Sequence, residues 1–111
     1  MSEWLFSYGT LQNEKTQLEI FGRAIHGVND VLNGYKISTI EITDSSFLSK
    51  GESKYQRTLM ASGNIDDAIE GTVLELTSDE LTLADKYEPE NYRRSKITLR
   101  SGKQAWIYVA G

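Results

Sequence analysis

The chain has no cysteine, one histidine and one proline among its 111 residues. Without cysteine there is no disulfide framework, no thiol nucleophile and no zinc site built on sulfur ligands. His26 is the only imidazole, so a zinc site built on several histidines is excluded. A Ser-His-Asp triad would have to use His26 itself, in a loop between Arg23 and Gly27, and no Gly-x-Ser-x-Gly elbow accompanies it. Positive charge is not in excess. Twelve Lys and Arg stand scattered against sixteen Asp and Glu, for a net charge of −4, and no basic stripe forms. That argues against nucleic acid as a partner. Long apolar runs are missing too. No stretch approaches membrane-spanning length, and the N-terminus lacks the basic segment and apolar run of a signal peptide. The expectation is a soluble cytoplasmic protein with no membrane partner. Any chemistry falls to carboxylates, hydroxyls, backbone amides, arginine and lysine.

What is present is enough for a folded core. Hydrophobic residues make up 39% of the chain, and two Trp, six Tyr and three Phe supply large side chains. The length fits one domain, taken here as 1–111. Aromatic-rich residues from Glu3 to Tyr8 read as a buried strand. A helix is expected from Asn13, a good cap, to Phe21, with Leu11, Leu18 and Phe21 along one face and Gly22 ending it. Asp30-Val31-Leu32 and Tyr35-Lys36-Ile37 flank Asn33-Gly34, which predicts a hairpin. Residues Thr43 to Arg57 are polar and read as a long loop or flap.

Thr58 to Ala61 and Ile69 to Leu76 read as strands. Thr77 and Glu80 have capping-box spacing, and Leu81, Ala84 and Tyr87 or Glu88 follow at helical spacing. Pro89 ends that helix and pushes Glu88 out of the helical region. A last hairpin alternates Ile97 and Leu99 with Ala105, Ile107 and Val109 about the turn Arg100-Ser101-Gly102-Lys103. Many strands and two short helices predict an α+β fold: a small, mixed, mainly antiparallel sheet closed towards a barrel, with about two flanking helices.

The strand's exit, Tyr8-Gly9-Thr10-Leu11, is the most informative segment. A strand, a glycine turn and a helix start expose backbone N–H groups at one spot, which suits an anion. A tight turn with no ligand is the plainer reading. Other residues carry two readings each. Glu88 is either a working carboxylate or a solvated helix end, although a negative group opposes the helix dipole there. Glu70 is a second pocket carboxylate or a cross-strand partner. Arg23 meets a carboxylate ligand or a helix end. Tyr92 bounds a pocket or packs in the core. His26 reads as a loop residue, and Glu14-x-x-Gln17 as a solvated face.

Taken together, Leu5-Phe6-Ser7-Tyr8-Gly9-Thr10-Leu11 resembles the opening of the gamma-glutamylcyclotransferase-like proteins, which include the AIG2-like group. Phe21-Gly22-Arg23, Leu32-Asn33-Gly34-Tyr35, Ile69-Glu70-Gly71-Thr72-Val73, Asp85-Lys86-Tyr87-Glu88 with Tyr92-Arg93, and Ala105-Trp106-Ile107-Tyr108-Val109 follow in that family's order. The resemblance covers nearly the whole chain. It implies a small mixed barrel with one pocket, and substrate binding by Tyr8, Gly9, Thr10 and Leu11, with Tyr92 beside them. It implies Glu88 as the catalytic acid and base, with no metal or cofactor. The implied reaction releases 5-oxoproline from a γ-glutamyl substrate. The glycine that the family places after this Glu is Pro89 here.

One carboxylate can take a proton from the substrate α-ammonium and give one to the leaving nitrogen. A glutamate ordinarily titrates near ~4.3, so partial burial is expected to raise it, with Tyr87, Tyr92 and Trp106 as the apolar surround. Two other readings stand beside the enzyme. One is a non-catalytic domain of the same fold that binds a small carboxylate-bearing metabolite. The other is a partner-binding module that uses residues Thr43 to Arg57.

Overall fold

Trp4, Leu5 and Phe6 sit in the strand β1 (Ser2–Ser7), and its period-two alternation sends successive side chains to opposite faces. Leu5 is 0% exposed and Phe6 is 1% exposed, so β1 is covered on both faces and lies inside the sheet. The computed structural model of the chain describes residues 2–51, 54–89 and 91–110. β1 pairs antiparallel with β5 (Ala68–Thr77) and parallel with β7 (Gln104–Ala110). β2 (Gly27–Asn33) adds outside β5, and β6 (Tyr92–Thr98) outside β7. The order is β2-β5-β1-β7-β6. A separate hairpin pairs β3 (Tyr35–Glu41) with β4 (Tyr55–Ala61). The ladders thus form a mixed, mainly antiparallel five-stranded sheet and a two-stranded one. The Ala110 N–H donates to Thr58 Oγ1 at 2.9 Å and draws β4 towards β7.

Two apolar clusters follow from the alternation. One gathers Leu5, Leu74 and Leu76 with Leu81, Ala84 and Tyr87 of the helix α3 (Ser78–Tyr87). The other gathers Phe6, Ile69, Val73 and Ile107 with Leu59 of the β3–β4 hairpin. The central sheet separates them. β1 and β5 lie so close that glycine is required at Gly71. A Cβ there would stand 2.5 Å from the Ser7 carbonyl oxygen and 2.7 Å from Phe6 Cζ.

The helices start and stop as their caps dictate. Asn13 caps α1 (Glu14–Phe21) by accepting from the Lys15 N–H, and Gly22 closes it with φ 73°. Thr77 and Glu80 form a reciprocal capping box on α3. Leu81, Ala84 and Tyr87 are buried along that helix, as their spacing predicts. The closing hairpin forms about the predicted turn, with Gly102 at φ 91°.

Four expectations are corrected. Asn33-Gly34 does not join a hairpin, because β2 pairs with β5 over seven positions and β3 pairs with β4. Gly34, at φ 84°, instead turns the chain from one sheet to the other. Its N–H donates to the Asp67 carbonyl at 2.8 Å, and its carbonyl accepts from the Ser62 N–H at 2.9 Å. The segment Thr43 to Arg57 is not simply a loop. It contains the short helix α2 (Ser45–Leu48), and Tyr55 to Arg57 belong to β4. Phe47 is buried edge-on to the Tyr87 ring, with centroids 6.0 Å apart. Residues 52 and 53 of that segment lie outside the described residues.

On α1 the buried positions are Thr16 and Gln17, while Leu18 is 48% exposed. Gln17, read as a solvated residue, is a strut. Its amide donates to the Leu11 carbonyl and accepts from the Ile25 N–H, each at 2.8 Å. An amide can satisfy a donor and an acceptor at once, and an apolar side chain there could satisfy neither.

Two substitutions test this packing. Gln17→Ala strands two backbone groups and is expected to cost about 2–4 kcal/mol. Urea unfolding would show a lower midpoint with the slope unchanged. Gly71→Ala forces backbone or Phe6 to shift and is expected to cost roughly 1–3 kcal/mol, read in the same experiment.

Candidate functional site

Three walls enclose one pocket. The first is the end of β1 and the turn after it: Ser7, Tyr8, Gly9 and Leu11. The Gln12 N–H donates to the Gly9 carbonyl at 3.2 Å and closes a 3₁₀ turn over Thr10–Gln12. The Gln17 strut holds that turn from below through Leu11. Gly9 is not in the left-handed region, and a Cβ on it would meet nothing within 4 Å. Neither backbone conformation nor packing therefore demands glycine there. What the missing Cβ leaves is open space beside the backbone at the pocket.

The second wall is the exit of α3: Glu88, Pro89 and Tyr92. Proline disfavours helical backbone in the residue before it. Glu88 accordingly leaves the helix at φ −65°, ψ 153°, while its N–H still donates to the Ala84 carbonyl at 3.1 Å. Lys50 fixes this last turn from outside. Its ammonium donates to the Tyr87 carbonyl at 3.0 Å and the Lys86 carbonyl at 3.3 Å, and lies 5.1 Å from the centre of the Tyr87 ring. A cation there complements the helix dipole. The Tyr92 N–H then donates to the Pro89 carbonyl at 2.9 Å, which turns the chain into β6. Pro89 does not divert Glu88: both line the pocket, Pro89 buried and Glu88 half-buried.

The third wall is β4, through Gln56 and Arg57, and Tyr108 of β7 closes the floor. The whole cleft holds about 420 Å³ of empty space counted out to its mouth.

Tyrosine hydroxyls knit the walls together. Tyr8 donates to the Tyr108 carbonyl. Tyr108 in turn donates to Asp85 Oδ1 at 2.6 Å, and the Arg94 guanidinium holds the same oxygen at 2.9 Å. The Tyr92 hydroxyl donates to the Arg57 carbonyl at 2.9 Å, tying the α3 exit to β4. Burial pushes all three phenols up. Tyr92 rises to about 12, first from burial and then from the Glu88 charge. Tyr8 lies well above the usual phenol range, from burial, then Tyr92 and Glu88, while the Thr58 side chain and Arg57 oppose the rise. Tyr108 lies higher still, from burial and from its bond to Asp85, with Glu88 adding to it. The Glu88 charge is thus felt by all three phenols of the pocket.

The structure brings Tyr8, Gly9, Leu11, Glu88 and Tyr92 to this one pocket, and the Thr10 backbone lies in the turn between Gly9 and Leu11. The surround foreseen for Glu88 is different in part. Tyr87 packs in the core against Phe47, and Trp106 lies under the cations of Arg94 and Lys96. Tyr8 and Tyr108 stand in the pocket instead. Glu70 is exposed on β5 and lines a separate groove with Asp30 and Gln12. Arg23 pairs bidentately with Glu80 of the capping box at 2.7 and 2.8 Å, and His26 is an exposed loop residue.

Sequence reading missed Tyr108, Arg57, Gln56 and Ser7. Tyr108 shares a strand face with Trp106 by period two, a signal that was there to use. Arg57 carried no signal, because its segment read as a loop. Among the described residues, no three or more His, Cys, Asp or Glu gather as a metal would require, and no helix is long and apolar enough to cross a membrane.

Phenols held above their free values make the fold alkali-sensitive. A neutral buried tyrosine contributes stability that is complete below the unfolded value near 10 and is lost as pH rises through the folded one. Stability is expected to fall between pH 10 and 12, the window set by Tyr92. Urea midpoints measured across that range would show the fall, and Tyr92→Phe would make it shallower without abolishing it, because Tyr8 and Tyr108 are raised as well.

Comparison with known proteins places the chain. The family model described as gamma-glutamyl cyclotransferase, AIG2-like, matches residues 5–111. No curated protein matches the chain significantly. Three solved structures share the fold at low identity. A solution structure from Arabidopsis thaliana superposes with a TM-score of 0.72 at 21% identity, over 99% of this chain and 62% of that one. An uncharacterized Homo sapiens protein gives 0.69 at 18% identity, over 99% and 67%. A structure titled gamma-glutamyl cyclotransferase gives 0.70 at 18% identity, over 100% and 68%. This chain thus spans about two thirds of the length of each.

Proposed function

Because the chain belongs to the gamma-glutamyl cyclotransferase, AIG2-like family, we propose that it is a cyclotransferase releasing 5-oxoproline from a γ-glutamyl amine or γ-glutamyl amino acid. One observation carries this reading: the half-buried Glu88 carboxylate shares a single pocket with the open backbone at Gly9.

The substrate supplies its own nucleophile. The pocket holds the γ-glutamyl chain folded, so that the α-nitrogen meets the γ-carbonyl carbon. Glu88 accepts a proton from the α-ammonium and frees the lone pair. The new C–N bond closes a five-membered ring and leaves a tetrahedral oxyanion, which backbone N–H groups of the Tyr8–Leu11 turn stabilise. Glu88 then gives that proton to the leaving nitrogen as the old C–N bond breaks, takes the second proton from the ring nitrogen, and hands it to the released amine. The products are 5-oxoproline and a free amine. The two protons lost by the α-ammonium end on the released amine as its ammonium form, and the chemistry calls for no cofactor. Tyr8, Tyr92 and Tyr108 stay protonated at neutral pH and give the pocket polar contacts without added charge.

Glu88→Gln keeps the shape of the side chain and removes its basicity. With γ-glutamyl amines and γ-glutamyl amino acids as substrates, 5-oxoproline release is expected to drop on the order of 100-fold or more in kcat. Turnover equal to wild type in that variant would remove Glu88 from the reaction. Wild-type protein that binds these compounds without releasing product would instead mark a binding domain.

Gly9→Ala separates ligand contact from folding. The added methyl enters open space, so unfolding is expected at the wild-type denaturant concentration or slightly above. 5-Oxoproline formation should still fall at least tenfold, because the methyl blocks approach to the backbone. Full activity in a folded Gly9→Ala protein would contradict the role of the turn.

A further inference from the structure

The reaction leaves one substrate charge unmet. The turn amides face the oxyanion and Glu88 handles the protons, yet every γ-glutamyl compound carries an α-carboxylate. Amino-acid leaving groups add a second. A carboxylate entering a pocket that already holds Glu88 needs a cation close by.

Of the described residues lining the pocket, Arg57 is the one cation. Other cations nearby are engaged elsewhere. Arg94 pairs with Asp85, Lys50 caps α3, and Lys96 lies over the Trp106 ring. Arg57 forms no ion pair with any described carboxylate. Its backbone is nevertheless held firmly, by the register Thr39↔Arg57 across β3–β4 and by the Tyr92 hydroxyl on its carbonyl at 2.9 Å. Its positive charge is felt at the buried Tyr8 phenol.

We propose that Arg57 is the carboxylate-recognition residue of this pocket, binding a carboxylate of the γ-glutamyl ligand through its planar guanidinium. This rests on the cyclotransferase reading for the identity of the ligand, but not for the act of binding. A guanidinium presents two parallel N–H donors to a carboxylate, whereas lysine offers a point charge, so Arg57→Lys should restore only part of the affinity.

The test compares ligands that differ by a carboxylate. 5-Oxoproline and 2-pyrrolidinone share the ring, and only the first is charged. Neither is consumed, so wild type and Arg57→Met can both be titrated by NMR. Arg57→Met is expected to weaken 5-oxoproline roughly tenfold or more and to leave 2-pyrrolidinone as it was. γ-Glutamylglycine and γ-glutamylethylamine, titrated into Glu88→Gln with and without Arg57→Met, then locate the carboxylate. Loss for both ligands identifies the α-carboxylate. Loss for γ-glutamylglycine alone, with 5-oxoproline unaffected, identifies the one on the leaving group.

Equal weakening of all four ligands, no weakening of any, or a wild type that binds none would overturn the assignment. Failure of the reaction is read separately. Wild type that releases no 5-oxoproline yet binds it through Arg57 would sink the cyclotransferase reading and leave the Arg57 assignment standing. Wild-type turnover that survives intact in Arg57→Met would do the reverse.

Discussion

Double burial of β1 is the constraint on which the rest depends. Leu5 seals the sheet against α3, and Phe6 seals it against the β3–β4 hairpin. Each such side chain is worth about 1.5–3 kcal/mol when removed from water. A one-residue slip would exchange the two faces and put Phe6 into the space shaped for Leu5. The register with β5 is therefore fixed, and Gly71 is fixed with it, because only hydrogen fits against the Ser7 carbonyl. The strand ends in a defined place, and Tyr8 and Gly9 are delivered to the pocket on a rigid element rather than on a free loop.

The opposite wall is set by a helix that must stop. Pro89 forces Glu88 out of helical backbone, and Lys50 holds the final carbonyls of α3 from the outside. The carboxylate is thus positioned by two contacts that do not involve the carboxylate itself. Between the walls stand phenols whose protons are held tightly by burial. They keep the floor neutral, so among the described residues charge in the cleft comes down to Glu88 and Arg57. That economy suits a reaction in which one carboxylate moves every proton.

Local signals in the chain carried much of this. Asn13, Gly22, the Thr77–Glu80 box and Pro89 marked helix ends because capping is a matter of neighbouring residues. Alternation at Ile97, Leu99, Ala105 and Ile107 marked the closing hairpin for the same reason. What was not legible depended on partners distant in sequence. Asn33-Gly34 has the composition of a hairpin turn, yet strand pairing is decided by what β5 offers β2, and the turn became a corner. Gln17 looked solvated because its partners, Leu11 and Ile25, come together only once α1 packs. Arg57 was hidden in a polar stretch whose end becomes a strand only by pairing with Thr39. The Tyr8–Leu11 turn and Glu88 were legible as candidates, but their meeting across some eighty residues is a property of the sheet.

The most direct measurement is a crystal structure with 5-oxoproline bound. The account predicts the lactam ring in the cleft between Gly9 and Glu88. Its nitrogen should lie within hydrogen-bond reach of the Glu88 carboxylate, about 3 Å, and its ring carbonyl should face the backbone of the Tyr8–Leu11 turn. A lactam seated in another groove, or in this cleft with Glu88 turned away from it, would contradict the claim that these two walls act on one substrate.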